Sequence, residues 1–426
     1  MRFKLNILIN LIQLKWQHIR YANNLKLLQQ KKWKALQKHL VKSPFYAPFI
    51  KENRVHQDFP LMDKKGFMAD FNAINTCQIT LEQAQKTALE AEHSRNFNST
   101  IEGITVGLST GTSGNRGVFL ASENERAQWV SAVLDRVIGF KLRKRSVAFF
   151  LRANSNLYRS VQSRLLQFEF FDLLQPTEEH IQKLNALKPT ILVAQPSCLL
   201  ELAEYIRQGK LNILPEKIIS VAEVLYPEDK KLLEQTFGQT IHQVYQCTEG
   251  FLASTCSHGN LHFHEDFLII EKKYLDADRT RFHPVITDLL RRTQPVIRYE
   301  LNDIIHELTN CPCGSQRMGI AQIEGRSDDT LRFIDSENHH ISIYPDFFRK
   351  AIVLSDERIQ DYLLIQRNPR QLILYVGGAS EMYIKASVGI RRLLHEHGCN
   401  DIEIIPLPNP GLERGSKLRR IRNEST

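Results

Sequence analysis

Leu108-Ser-Thr-Gly-Thr-Ser-Gly-Asn-Arg-Gly117 is the stretch on which the reading of this sequence turns. Gly111, Gly114 and Gly117 let backbone N–H groups come close to a phosphate, and the hydroxyls of Ser109, Thr110, Thr112 and Ser113 add donors. A short apolar strand, Thr105 to Leu108, precedes the run. A helix from about Glu123 follows, with Ser122 placed to cap it. No Lys-Ser or Lys-Thr follows Gly114, which excludes the phosphate loop of kinases and GTPases. A Ser/Thr/Gly run is also the material of ordinary turns, so the rest of the chain must decide.

Downstream the texture alternates. Ser146 to Leu151, Thr190 to Ala194, Lys217 to Ala222 and Thr240 to Tyr245 are short apolar runs typical of buried strands, and Pro227 to Phe237 reads as a helix between the last two. Strand, helix, strand in this rhythm predicts an α/β core with parallel strands. Beyond Asp328 the elements shorten: Tyr362 to Gln366, Gln371 to Val376, a helix near Tyr383 to His397, then Asp401 to Pro406. The expected organisation is a helical segment over residues 1–60, a large α/β domain over 61–327, and a small α+β domain over 328–426.

Three further motifs follow in order: Val244-Tyr-Gln-Cys-Thr-Glu249, Arg298-Tyr-Glu-Leu-Asn-Asp303 and Glu324-Gly-Arg-Ser-Asp-Asp329. With the glycine run they resemble the four motifs of the adenylate-forming enzymes, the superfamily of acyl-CoA synthetases, luciferases and peptide-synthetase adenylation domains. Ser220-Val-Ala-Glu-Val-Leu225, Arg298-Tyr299 and Cys311-Pro-Cys-Gly314 are similar to the phenylacetate-CoA ligase-like branch, which includes capsule-cluster proteins and coenzyme adenylyltransferases. The resemblance runs from about Ser43 to Arg422.

That resemblance implies ATP-dependent adenylation of an aromatic or fatty carboxylic acid, then transfer to coenzyme A or a carrier-protein thiol. The alternatives are adenylyl transfer with no thiol stage, or a catalytically silent, membrane-associated assembly protein of the same fold. Two anions must react, so the site has to neutralise charge at the α-phosphorus and hold the reactants in line. The implied roles place Ser109 to Gly114 around the β- and γ-phosphates, and Thr248 on the α-phosphate. Glu249 would hold Mg²⁺, a cation suited to hard oxygens. Asp303 would take the ribose hydroxyls, Arg326 the ribose or phosphate, and Glu223 with Tyr245 the adenine. Glu413-Arg-Gly-Ser-Lys-Leu-Arg-Arg420 is similar to the family's lysine-bearing ending. Lys417 is therefore the candidate cation at the reacting carboxylate, carried by a small domain that turns about Asp328. Two departures stand out: Ser416 separates Gly415 from Lys417, and Asn115-Arg116-Gly117 replaces the usual Lys-Pro ending, with Arg116 able to supply the missing charge.

Cys256, His262, Cys311 and Cys313 offer three thiols and an imidazole, a donor set for tetrahedral zinc, with His258 and His264 as alternative ligands. Some members of the branch carry a structural zinc on matching residues. The seven cysteines are odd in number and irregular in spacing, which points to a reducing cytoplasm rather than a disulfide framework.

With 42% apolar and 24% charged residues, the composition is that of a globular chain. The net charge of +9 is carried by residues 1–42, where ten Lys or Arg face no Asp or Glu. Within that segment Leu5, Leu8, Ile9, Ile12, Trp16 and Ile19 recur at helical spacing. The expectation is that this stripe packs on the protein's own body while the lysines face water, although such a helix can also lie on an anionic membrane. No recognition motif accompanies the charge, so nucleic acid is not an expected partner. The apolar run Leu5 to Leu14 is broken by Asn6, Asn10 and Gln13 and no small-residue cleavage site follows, so no signal peptide is expected, and the run is far short of the roughly 20 apolar residues of a spanning helix.

Overall fold

The computed structural model describes residues 2–94, 100–109, 116–139, 143–151, 166–335, 337–408 and 419–425. The chain divides into two compact units. The first takes residues 1–222, 233–301 and 307–321; the second takes 223–232, 302–306 and 322–426. The boundary expected at 327/328 falls inside the second unit, which also draws in two short segments from earlier in the chain.

In the first unit, β1 (Ile104–Leu108) and β2 (Val118–Ala121) form an antiparallel hairpin with Leu108 opposite Val118. Five strands then lie parallel: β3 (Arg145–Leu151), β4 (Leu166–Asp172), β5 (Ile191–Ala194), β6 (Lys217–Ser220) and β7 (Ile241–Cys247), in the spatial order β4-β3-β5-β6-β7. Every residue of β5 is buried, as strands inside a covered parallel sheet are. The sheet continues antiparallel through β8 (Gly250–Thr255) and β9 (Leu261–Phe263), and Leu261 pairs with Ile320 of the strand Gly319–Arg326.

The second unit is α+β. Its four-stranded sheet has the order Glu403–Pro406, Gln371–Val376, Tyr362–Asn368, Ile421–Asn423. Helices Pro345–Val353 and Ser380–Glu396 close on the same core of Leu331, Phe333, Phe348, Leu364, Leu374 and Ile390. They touch at Gly389, where a Cβ would lie 2.3 Å from the Ala351 carbonyl oxygen, so only glycine permits that approach. Arg420 and Asp229, both buried, pair at 2.7 Å and pin the final strand to the segment 223–232.

At the N-terminus, α1 (Arg2–Arg20) and α2 (Leu25–Leu40) are helical, as the spacing predicts. Here the expected packing is reversed. Leu5, Leu8, Ile9, Ile12, Trp16 and Ile19 are 44–82% exposed, while Ile7 and Leu14 are buried. Phe3 and Ile7 pack on Ala127, Val130 and Leu134, and the Ser131 hydroxyl donates to the Ile7 carbonyl at 2.9 Å. No described helix is long and apolar enough to cross a membrane.

Candidate active site

The glycine run is not followed directly by its helix. It joins β1 to β2, and α3 (Glu123–Val133) starts only after β2. Thr110, Gly111, Thr112, Ser113 and Gly114 lie outside the described residues. The described ends of the run close on each other: the Ser109 N–H donates to the Gly117 carbonyl at 2.7 Å, and the Gly117 N–H to Ser109 Oγ at 2.7 Å. Arg116 donates to the Ser109 carbonyl at 2.9 Å and to Glu92 at 2.7 Å. Its charge is met by a carboxylate of the helix Leu81–Ser94.

Ser122 caps α3 in a reciprocal box with Glu125. Glu125 also accepts the backbone N–H groups of Arg292 (2.6 Å) and Thr293 (2.8 Å). This ties the helix to a segment that the sequence reading passed over. From that segment Arg291 donates to the carbonyls of Thr248 (2.6 Å) and Leu120 (3.2 Å) and to Gln294 Oε1 (3.0 Å). Gln294 in turn bonds the backbone of Val118 and Leu120 on β2. Arg291 and Gln294 thus fasten the hairpin that carries the glycine run to the turn that carries Thr248.

Thr248 and Glu249 are the two residues between β7 and β8, where Cys247 pairs with Gly250. The Thr248 hydroxyl donates to Glu249 Oε2 at 2.8 Å, and the Tyr299 hydroxyl to Glu249 Oε1 at 2.8 Å. Tyr299 is 3% exposed; burial, and then the Glu249 charge, push its phenol well above the usual range, so it remains a donor. Behind the turn Asp288 is buried and its carboxyl is pushed up to about 6 by desolvation. Tyr245, on β7, is nearly buried with its ring 6.3 Å from Phe263. Arg298 does not face this turn: it clamps Glu271 and the carbonyls of Gln57 and Phe59.

Glu223, Asp303 and Arg326 belong to the second unit. Asp303 and Arg326 are paired at 3.7 Å, which brings together residues from two motifs. Beside them Asn302 donates to Asp328 at 2.6 Å, and the Asn302 carbonyl takes the Ser327 N–H at 2.7 Å. Gly325, within the strand Gly319–Arg326, has φ +140°, a backbone region that disfavours side chains. Glu223 follows Ala222, whose φ is +69°. Lys417 lies outside the described residues, while Arg419, two positions on, pairs with Asp329.

The four metal-ligand candidates meet. The ligand atoms of Cys256, His262, Cys311 and Cys313 lie within 4.8 Å of one another. Cys256 Sγ and Cys311 Sγ are 3.7 Å apart, and Cys313 Sγ is 3.4 Å from His262 Nε2. Tetrahedral zinc with bonds of about 2.3 Å to sulfur and 2.0 Å to nitrogen separates such ligands by about 3.5–3.8 Å, so the set fits. The His262 Nδ1–H donates to the Arg317 carbonyl at 3.0 Å, which turns Nε2 toward the sulfurs. Burial raises the Cys311 thiol, but hydrogen bonds from the Cys313 N–H and Asn260 bring it down to about 6. Gly314, at φ +71°, closes the knuckle. His258 and His264 stand outside the cluster; His264 packs 4.3 Å from the Phe251 ring.

No family model matches the chain. It is similar to the indoleacetate–lysine synthetase of Pseudomonas savastanoi, 27% identical over 275 residues, which cover 59% of this chain and 61% of that enzyme. The match thus spans less than two thirds of that relative's length. Among solved structures, 2-hydroxyisobutyryl-CoA ligase in the postadenylation state is 18% identical over 98% of this chain and 88% of its own, with a TM-score of 0.62. The acyl acid amido synthetase AtGH3.15 is 13% identical over 95% and 92%, with a TM-score of 0.61. The fold is that of the adenylate-forming enzymes. Its structural neighbours are acyl-CoA ligases and amide synthetases of that superfamily.

Proposed function

We propose that this chain is an ATP-dependent adenylate-forming ligase that joins AMP to an organic carboxylic acid and hands the acyl group to a thiol, such as coenzyme A or a carrier-protein arm. The observation that carries this reading is the meeting of motifs distant in sequence: Tyr299 with Glu249, and Asp303 with Arg326, in the fold of that class.

In the first half-reaction a carboxylate oxygen bonds to the α-phosphorus of ATP, the α–β bridging bond breaks, and pyrophosphate leaves. The Ser109 hydroxyl, with the backbone N–H groups and hydroxyls of residues Thr110 to Gly114, receives the departing phosphates. When ATP is bound, the Thr248 hydroxyl turns its one proton from Glu249 to the α-phosphate. Asp303 takes the ribose hydroxyls with Arg326 beside it, and Glu223 and Tyr245 line the base. Lys417 supplies the cation that lets two anions approach, and residues 328–426 form the small domain that turns about Asp328 between half-reactions. The Glu249 carboxylate, oriented by Tyr299 and Thr248, is a hard oxygen donor suited to Mg²⁺, which would neutralise phosphate charge when bound. In the second half-reaction the thiol sulfur bonds to the acyl carbon and AMP leaves.

A second reading of the acceptor is an amine, because the curated relative is named for an amide of lysine and one structural neighbour is an acyl acid amido synthetase. Cys256, His262, Cys311 and Cys313 would hold a structural zinc, remote in role from the chemistry. The seven cysteines, none of them in a disulfide, favour a cytoplasmic setting.

The decisive experiment is acid-dependent ATP–pyrophosphate exchange over a panel of aromatic and fatty acids. Wild type should exchange with at least one acid, and Glu249→Gln and Lys417→Ala should each lose on the order of a hundredfold. Exchange that survives both substitutions rejects the mechanism. AMP release that requires coenzyme A, as against lysine or another amine, then assigns the acceptor.

A further inference from the structure

Helix α1 carries an apolar face that the protein leaves in water. At about 100° per residue, Leu5, Leu8, Ile9, Ile12, Trp16 and Ile19 fall within a sector about 100° wide. All six are exposed. The opposite side of the helix, through Phe3, Ile7 and Leu14, is the one that meets the body of the first unit. A helix apolar on two faces and packed on only one is an unusual expense, since large exposed apolar stripes mark surfaces that bind something.

The charges indicate what it binds. On the same wheel Lys4 and Lys15 border one edge of the stripe, and Arg2 and Arg20 the other; all four are exposed. Lys15 also reaches Asp135 at 2.5 Å, and the Arg20 guanidinium lies 4.9 Å over the Trp16 ring. The segment 1–42 contains ten cations and no acid, so the charged residues that border the stripe on α1 itself are all positive. A second copy of the same face would bring these cations together, which opposes self-association. An apolar stripe with a tryptophan, edged by Lys and Arg, is instead the form of a helix that lies in the plane of a bilayer surface.

We propose that α1 is a peripheral docking helix for an anionic lipid surface. The stripe sinks among the acyl chains at headgroup depth, Trp16 settles at the boundary, and Arg2, Lys4, Lys15 and Arg20 lie over the headgroup phosphates. Because the packed face is a different one, docking requires no unfolding of α1 from the first unit. The proposal stands independently of the adenylation chemistry.

The test is co-sedimentation of the purified full-length protein with sucrose-loaded vesicles, with intrinsic fluorescence to follow Trp16. The protein should pellet with phosphatidylglycerol-rich vesicles, with a blue shift in emission, and stay in the supernatant with pure phosphatidylcholine. Each Lys or Arg near such a surface is worth about fivefold in partitioning, so Arg2→Glu with Lys4→Glu should weaken binding by more than about twentyfold. Leu8→Glu with Ile12→Glu should reduce it at least tenfold while leaving elution volume, far-ultraviolet spectrum and solution ATP–pyrophosphate exchange unchanged. The proposal fails if wild type ignores anionic vesicles, or if the Leu8/Ile12 variant still pellets with them. A concentration-dependent dimer that dissolves in that variant, with no vesicle binding by wild type, would assign the face to a second copy instead.

Discussion

At the scale of single residues, the phenol of Tyr299 and the carboxylate of Glu249 are the pair to test. Tyr299 is a positioning residue: it orients Glu249 and is held protonated by burial and by the charge it serves. Replacing the partner that orients a metal-ligating carboxylate costs about ten- to a hundredfold in metal affinity. Tyr299→Phe should therefore raise the Mg²⁺ concentration for half-maximal exchange by about tenfold, with saturating rate nearly retained; an unchanged Mg²⁺ dependence would show that the bond orients nothing. Part of this was legible in one sequence, because Arg298-Tyr299 and Thr248-Glu249 lie in recognisable motifs. That Tyr299 rather than Arg298 faces the turn was not, since pairing across 50 residues depends on how the strands register. Arg291 and Gln294 left no signal at all: Arg-Arg-Thr-Gln reads as an ordinary polar loop until its donors are seen on three carbonyls of two backbone segments.

Among elements, α3 rests on its first turn. Burial pushes the Glu125 carboxyl up, but hydrogen bonds from Ser122 and Thr293 outweigh it and hold the group below its ordinary value. A carboxylate depressed in the folded state contributes stability that is complete above the unfolded pKa, near 4.5, and is lost as pH falls through the folded value. Glu125→Gln should cost about 2 kcal/mol in urea unfolding at pH 7, and the gap to wild type should close as pH falls below the carboxylate range. A gap that is constant with pH would mean the charge is irrelevant. Most elements were readable from period and punctuation; the helix Pro227–Phe237 and the strand Gln371–Val376 have the bounds the pattern predicts. Two readings went astray for identifiable reasons. Val118–Ala121 is a four-residue strand squeezed between Gly117 and a cap, too short to show alternation. In α1 both faces are apolar, and periodicity tells that a stripe exists without telling which one the body covers.

For the whole molecule, the Cys/His cluster joins the β8–β9 hairpin, through Cys256 and His262, to the loop 311–314. Zinc analysis of purified protein should give about one metal per chain, and Cys311→Ser should bring that near zero and lower the unfolding temperature. Metal-free wild type with undiminished stability would remove the assignment. The ligand set was legible from residue types, whereas the 48 residues between His262 and Cys311 gave no assurance that they would meet.

The second unit has one further property that its last strand makes plain. Arg420 is fully enclosed, and its counter-ion, Asp229, arrives from a segment nearly two hundred positions upstream. A clone that begins at Gln322 would carry the guanidinium without the carboxylate that meets it, and an enclosed cation stripped of its mate costs about 3–5 kcal/mol. Anyone dissecting this protein by recombinant truncation should therefore graft 223–232 back onto the fragment, or expect inclusion bodies in place of a folded unit.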